Sequence, residues 1–155
     1  MRLYIAEHPD VLLPAIINLD GFHVSHVIEP IEMLDQQAVS GFLPPYKRSI
    51  TLDPDNPVTM GCFAMPNLYT ESRKALDTAL RDSKKVILEV WQKYADLTGR
   101  HYKPVEQYKT ENAETLLVTM GSYSENAMDA IDKMQDEGKK VGLVRIRLWR
   151  PFPYD

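Results

Sequence analysis

Residues 116–153, LLVTMGSYSENAMDAIDKMQDEGKKVGLVRIRLWRPFP, constrain the fold more than any other stretch of the chain. An apolar run from Leu116 to Met120 ends at Gly121 and passes into a segment whose apolar residues fall at Ala127, Ala130, Ile131 and Met134. That change of period predicts a short buried strand feeding an amphipathic helix. Ser122, followed three residues later by Glu125, predicts a capping box at the helix start. Gly138 supplies the left-handed residue that commonly ends a helix, and Lys139 and Lys140 follow near the negative end of its dipole. A second strand is predicted over residues 141–148. A strand, a helix and a strand in about thirty residues form a βαβ unit, whose two strands must be parallel and whose crossover is right-handed. The fold class is therefore α/β.

Composition narrows the function classes. The chain has 155 residues, 44% of them hydrophobic and 26% charged, which suits one globular domain with a real core. A net charge of −4 gives no general attraction to phosphate backbones or anionic lipid, so neither nucleic acid nor a membrane surface is an expected partner. The single cysteine, Cys62, leaves no pair for an intrachain disulfide and no Cys-x-x-Cys for zinc or an iron–sulfur cluster. It sits in the apolar setting Gly61-Cys62-Phe63-Ala64-Met65, where a buried, inert thiol is expected. No run is long and apolar enough for a membrane span, and Glu7, His8, Pro9 and Asp10 stand where a signal peptide would be apolar. A cytoplasmic protein is expected.

Along the chain, residues 11–19 (VLLPAIINL) read as a buried strand ending in the turn Asp20-Gly21. Asp35 precedes a short helix over residues 36–42, stopped by Pro44-Pro45. Residues 43–66 carry Pro44, Pro45, Pro54, Pro57 and Pro66 with little periodicity, which marks a linker. Thr70 or Asn67 caps a long helix in which Leu76, Ala79, Leu80, Ser83, Ile87, Val90, Tyr94 and Leu97 recur at three- and four-residue steps until Gly99. Residues 102–109 read as a strand that lies at an edge or is interrupted, because Pro104 cannot donate to a ladder. The first thirty residues resemble the last strand and exit of another domain, so the sequence reads as a piece of a larger protein.

Candidate chemistry gathers at Asp20, Gly21, Phe22, His23, Ser25 and His26. These include the residue types of a nucleophile and base, yet no Gly-x-Ser-x-Gly elbow surrounds Ser25. Gly21 and Pro30 bracket the histidines as loop, which argues against a helical zinc site. Polar residues on a strand-exit loop are the simpler reading, and that placement keeps a binding role open. Gly121-Ser122 at a helix entry has neither a Gly-x-Gly-x-x-Gly nor a Walker lysine, so a capped helix start is the simpler reading there too. Arg145, Arg147 and Trp149 alternate with Ile146 and Leu148, which would set the two arginines and the tryptophan on one strand face. With Arg150 they are candidates for a protein interface or an anion contact, against a solvated strand face.

Taken together, these pieces resemble the α subunit, or α-like region, of the 2-oxoacid:ferredoxin oxidoreductases, of which pyruvate synthase is the best-known member. The matching pieces are LLPAIINLDGFHVSHVIEPIEM at residues 12–33, FLPPY at 42–46, LDPDNPVTMG at 52–61 and, above all, LLVTMGSYSENAMDAIDKMQDEGKKVGLVRIRLWRPFP at 116–153, whose end GKKVGLVRIRLWRPFP is the most specific. The resemblance implies that residues 1–43 are the tail of a pyrimidine-binding thiamine domain, 44–62 a linker, and 63–155 a domain similar to the transketolase C-terminal domain. It implies a parallel-rich sheet with helices on both faces in a three-layer arrangement. It further implies a complex that oxidatively decarboxylates a 2-oxoacid to an acyl-CoA, using thiamine diphosphate, Mg and iron–sulfur clusters and passing electrons to ferredoxin. No complete catalytic or cofactor motif is present in this sequence, so none of these groups is expected in the chain itself. It is expected to be inactive alone and to act as a structural and subunit-contact module beside thiamine-binding and iron–sulfur subunits, with homo-oligomerisation left open. The family's DGF-x-x-SH pattern falls on Asp20, Gly21, Phe22, Ser25 and His26, which would bring these residues near the active site of the assembled enzyme. His23 stands where some relatives carry arginine. The alternative is a free-standing α/β module that binds a CoA- or nucleotide-like anion through its arginines.

Overall fold

The computed structural model describes every residue except Ser49, Met60, Cys62 and Asp155. The chain divides into two compact units, Met1–Ala15 with Leu34–Tyr94, and Ile16–Met33 with Ala95–Asp155.

The first unit is helical. It holds α1 (Arg2–Ala6), α2 (Gln36–Phe42) and α3 (Pro66–Thr98) as far as Tyr94. Helix α2 occupies the span read from its sequence, because the Asp35 carboxylate accepts the Ala38 N–H at 2.8 Å and satisfies an otherwise orphaned donor. Helix α3 begins earlier than the expected caps Thr70 or Asn67, with Pro66 in its first turn, where a missing N–H costs nothing. Its buried stripe is also shorter than the sequence pattern suggests. Ser83, Val86, Ile87, Val90 and Trp91 are buried, whereas Leu76 is exposed. Val86 and Val90 pack with Val11 in a small core, joined by Met1, Tyr4, Ile5, Leu13 and Phe42. Tyr4 packs against Phe42 at 5.5 Å, and Lys93 donates to the Tyr4 hydroxyl at 3.0 Å.

The expected strand over residues 11–19 does not form. Val11 is buried, but Ile16, Ile17 and Leu19 lie exposed with no ladder on either side. An apolar, β-branched run has the propensity for a strand, but only a partner can supply the hydrogen bonds that make one.

The second unit holds β1 (Val105–Tyr108), β2 (Thr115–Thr119), α4 (Tyr123–Asp136) and β3 (Val141–Ile146). The sheet has three strands in the order β1-β3-β2, so the last strand lies in the middle. β2 and β3 run parallel, in the register Leu117 to Leu143, with α4 between them in sequence and packed on β3. This is the βαβ unit that the change of period predicts. β1 runs antiparallel to β3, pairing Glu106 with Arg145. Leu143 is fully buried at the centre, and Ile131 of α4 is buried as well. The C-terminus of α4 is a Schellman motif. Gly138, at φ +82°, donates to Gln135 O at 2.8 Å, and Lys139 N donates to Met134 O at 3.0 Å. β2 is an edge strand whose Leu116, Leu117 and Val118 remain exposed on both of its faces.

Candidate functional site

The loop carrying Asp20 to His26 is held by its own chain at several points. Phe22 adopts a left-handed backbone, φ +59°, which a bulky residue rarely takes without surrounding support. That support is visible in three bonds. His23 N donates to Gly21 O at 2.8 Å, His26 N donates to Phe22 O at 3.0 Å, and Phe22 N donates to the Ser25 hydroxyl at 3.0 Å. The Ser25 hydroxyl also lies 2.8 Å from Nδ1 of His26, leaving the other imidazole nitrogen facing away from that bond. The rings form a chain of contacts: His26 to Phe22 at 5.3 Å, Phe22 to His23 at 5.6 Å, and His23 to Tyr123 at 6.3 Å. Phe22 and Tyr123 are largely exposed.

Asp20 ties this loop to the sheet unit. Its carboxylate accepts the backbone N–H of Ser122 at the N-terminus of α4. Gly121 leaves the room for that approach: with φ +78°, a Cβ there would stand 2.7 and 2.9 Å from the two Asp20 oxygens. Hydrogen bonds from the Ser122 side chain and backbone hold the Asp20 carboxyl below the usual carboxylate range, as expected of an anion at the positive end of a helix. The expected Ser122–Glu125 capping box is therefore replaced. Ser122 itself has helical dihedrals and makes no side-chain cap, and Glu125 turns instead to Arg145, with 2.7 Å between Oε1 and Nη2. A capping box needs its first residue in extended geometry, and a carboxylate arriving from residue 20 removes that need.

The arginines of the last strand lie in a connected cluster. β3 ends at Ile146, so Arg147 and Trp149 lie beyond the ladder, where Arg147 N and Leu148 N donate to Pro104 O. Arg147 grips Glu106 with two bonds of 2.6 and 2.9 Å, and its guanidinium stands 4.7 Å over the Tyr102 ring. Glu106 keeps Arg147 above its ordinary pKa. Arg145 Nε lies 3.5 Å from the same Glu106, close enough for Coulomb attraction but without an aligned hydrogen bond. Both arginines thus have carboxylates from β1 or α4 at their forks. Trp149 and Arg150 are exposed, and Trp149 meets Phe152 edge-on at 5.5 Å.

A further polar cluster escapes notice in the sequence. Tyr108 donates to both Asp132 oxygens at 2.9 and 3.1 Å, and Lys109 Nζ pairs with the same carboxylate at 2.8 Å. Their spacing of more than twenty residues gives no local pattern to find. The Thr119–Ser124 hydroxyl contact at 3.0 Å and the place of Tyr123 beside His23 are likewise decided by the turn after β2. Gly121 is the local signal that could have marked the approach of Asp20, since a glycine between strand and helix often marks a close approach. The expectation of a buried, inert Cys62 lies outside the described residues. Among the described residues, no group of three or more His, Cys, Asp and Glu converges as a metal site requires, and no helix is long and apolar enough to cross a membrane.

Comparison with known proteins gives this geometry a family. Residues 1–92 match the model of the pyruvate flavodoxin/ferredoxin oxidoreductase thiamine diphosphate-binding domain, and residues 113–155 match pyruvate:ferredoxin oxidoreductase core domain II. The chain is 43% identical over 152 residues to pyruvate synthase subunit PorA of Methanocaldococcus jannaschii, covering 96% of this chain and 39% of that protein. It is 41% identical over 152 residues to the Pyrococcus furiosus subunit of the same name, covering 97% and 38%. The Methanothermobacter thermautotrophicus subunit is 40% identical over 149 residues, covering 96% and 39%. The chain thus spans about two fifths of the length of the curated relatives it matches. With both family models met in order along one chain, this protein belongs to the pyruvate flavodoxin/ferredoxin oxidoreductase family.

Proposed function

We propose that the chain is part of a 2-oxoacid:ferredoxin oxidoreductase that oxidatively decarboxylates pyruvate or a close relative to an acyl-CoA, with electrons passing to ferredoxin in the cytoplasm. Within it the chain serves as a structural and subunit-contact module. The observation that carries this reading is the match of nearly the whole chain, in order, to subunits named for pyruvate synthase. Two surfaces support it. Residues 16–33 expose Ile16, Ile17, Leu19, Phe22, Ile28, Ile31 and Met33, and β2 shows apolar side chains on both faces of an open edge. Apolar surface on this scale is what an interface covers, and a strand apolar on both sides is what a parallel sheet buries. A larger parallel-rich sheet with helices on both faces, in the three-layer transketolase-like arrangement, completes β2 on this reading.

The domain division follows the same reading, with residues 1–43 as the tail of a thiamine domain, 44–62 as a linker and 63–155 as the transketolase C-terminal-like domain. On this reading thiamine diphosphate, Mg and the iron–sulfur clusters are held by partner subunits, and the loop from Asp20 to His26, with the Asp20 carboxylate bonded to the N-terminus of α4, approaches the reaction site they form. Arg147, Trp149 and Arg150 are the exposed members of the proposed contact surface, and Arg145 is half-buried.

Affinity purification of the chain from its native host tests this directly. Recovery with larger subunits bearing thiamine diphosphate and iron, and with 2-oxoacid-dependent dye reduction only in that complex, is the expected result. Dye reduction by the isolated chain would refute the role as a module, and recovery with no cofactor-bearing partner would refute the assignment to the complex.

A further inference from the structure

We propose that Asp20 is a positioning residue for the enzyme's reaction. It caps α4 from the loop, and by doing so fixes where Phe22, His23 and His26 stand. The inference rests on the functional reading above, in which this loop approaches the reaction site.

Among the described residues, Asp20 is the one point at which the loop is anchored by charge. Within the loop, hydrogen bonds from His23 N, His26 N and Phe22 N set the local shape, including the left-handed Phe22. None of them attaches that shape to anything else. The attachment comes from Asp20, whose carboxylate meets the Ser122 N–H at the positive end of α4. Gly121 is the matching half of the joint, since any side chain there would strike both carboxylate oxygens. One turn further, the Tyr123 ring meets His23, so the start of α4 touches the loop at a second place. The two ends of this joint fall in different family models, residue 20 in the thiamine-binding one and residues 121–123 in core domain II. A helix that needed only a cap has a serine at its own N-cap position, a residue type that caps well, yet that serine does not cap. The cap is supplied instead by a residue 102 positions away in sequence. A local cap would stabilise α4 equally well but would leave the loop free, and so the remote cap adds placement of the loop. Ser25 acts inside the loop in the same sense, by holding both Phe22 N and His26 Nδ1.

The decisive experiment separates placement from helix stability in the assembled complex. Asp20→Ala should lower both the melting temperature of the chain and kcat/KM for the 2-oxoacid, the latter by about tenfold to a hundredfold, as small misplacements near a reacting centre do. Asp20→Asn keeps an acceptor of good capping type and should retain most of both. Asp20→Ala with Ser122→Asp gives α4 an acidic residue of its own. It should recover the melting temperature while kcat/KM stays low and the nuclear Overhauser contact between His23 and Tyr123 stays lost. Gly121→Ala, pressing on the joint from the other side, should lower kcat/KM in the same way, with little further loss when Asp20→Ala is added. The proposal is overturned if the double variant at 20 and 122 regains turnover together with stability, since Asp20 would then be a helix cap and no more. It is equally overturned if Asp20→Ala turns over at the wild-type rate in an active complex. A wild-type complex with no 2-oxoacid-dependent reduction would instead strike down the functional reading on which the proposal rests.

Discussion

Substituting Gly142 with alanine tests the packing at the centre of the second unit. Gly142 is buried in β3 opposite Leu116 of β2, and a Cβ there would lie 2.7 Å from Lys109 O, 3.0 Å from Thr110 Cα and 3.1 Å from Ala113 Cβ. The closest approach is roughly 0.7 Å inside the distance at which ordinary contact begins. The wall it meets is backbone that cannot swing aside. Lys109 has a left-handed φ of +50°, its carbonyl accepts from Gln135 Nε2 at 3.2 Å, and its ammonium is paired with Asp132. Overpacking of this kind costs about 1–3 kcal/mol, and a fixed backbone wall places it in the upper half of that range. Alanine also narrows the unfolded ensemble, which offsets about 0.4–1 kcal/mol. The net loss is then about 1–2.5 kcal/mol, or a fall in Tm of about 2–10 °C for a chain of this size. Calorimetry or thermal circular dichroism of the purified chain reads it. The loss should shrink in a Gln135→Ala background, where the Lys109 carbonyl is released to move. A Tm for Gly142→Ala equal to or above wild type would refute the fixed-wall reasoning.

Leu143→Ala removes the most deeply buried side chain of the sheet and should cost about 2–5 kcal/mol, measured by urea unfolding. Glu106→Gln takes the charge from the carboxylate that faces Arg145 and Arg147, and should cost about 1.5–3 kcal/mol as charge-assisted hydrogen bonds are weakened; raising the salt concentration should narrow the difference from wild type. Asp20 and Asp132 both titrate below their ordinary value of 3.8 in the folded chain, Asp20 through Ser122, and Asp132 through Lys109 and then Tyr108. The stability they confer is full above 3.8 and is lost as pH falls through their folded values, so Asp20→Asn and Asp132→Asn should each flatten the acid limb of a Tm-versus-pH curve. The Tyr108 phenol, raised chiefly by its bond to Asp132, should ionise above 10.0 in an ultraviolet titration, and Asp132→Asn should bring it back toward that value.

Much of the fold was legible because its determinants are local. Helix α2 is bounded by Asp35 and by Pro44-Pro45, and both act on their immediate neighbours. The βαβ unit follows from an unbroken apolar run giving way to a period near four and then to a second strand, with Gly138 supplying the turn between α4 and β3. The candidate residues were legible as a cluster, since Asp20 to His26 fall within seven positions. Their arrangement was not, because Asp20 spends its charge on Ser122, and the strand expected before it never finds a partner.

What the sequence determined by itself was the class of each local segment and the family pattern carried along it, since periodicity, caps and turn residues act within a few positions. Only the tertiary structure decided the partners. It placed β3 between β1 and β2, gave α4 a cap from residue 20, brought Arg145 and Arg147 to Glu106, and set Tyr108 and Lys109 on Asp132. Each of these is a hydrogen bond or ion pair between residues far apart in the chain. Such a bond leaves no period in the sequence, because either end would look equally at home as a solvated polar residue until folding brings its partner within reach.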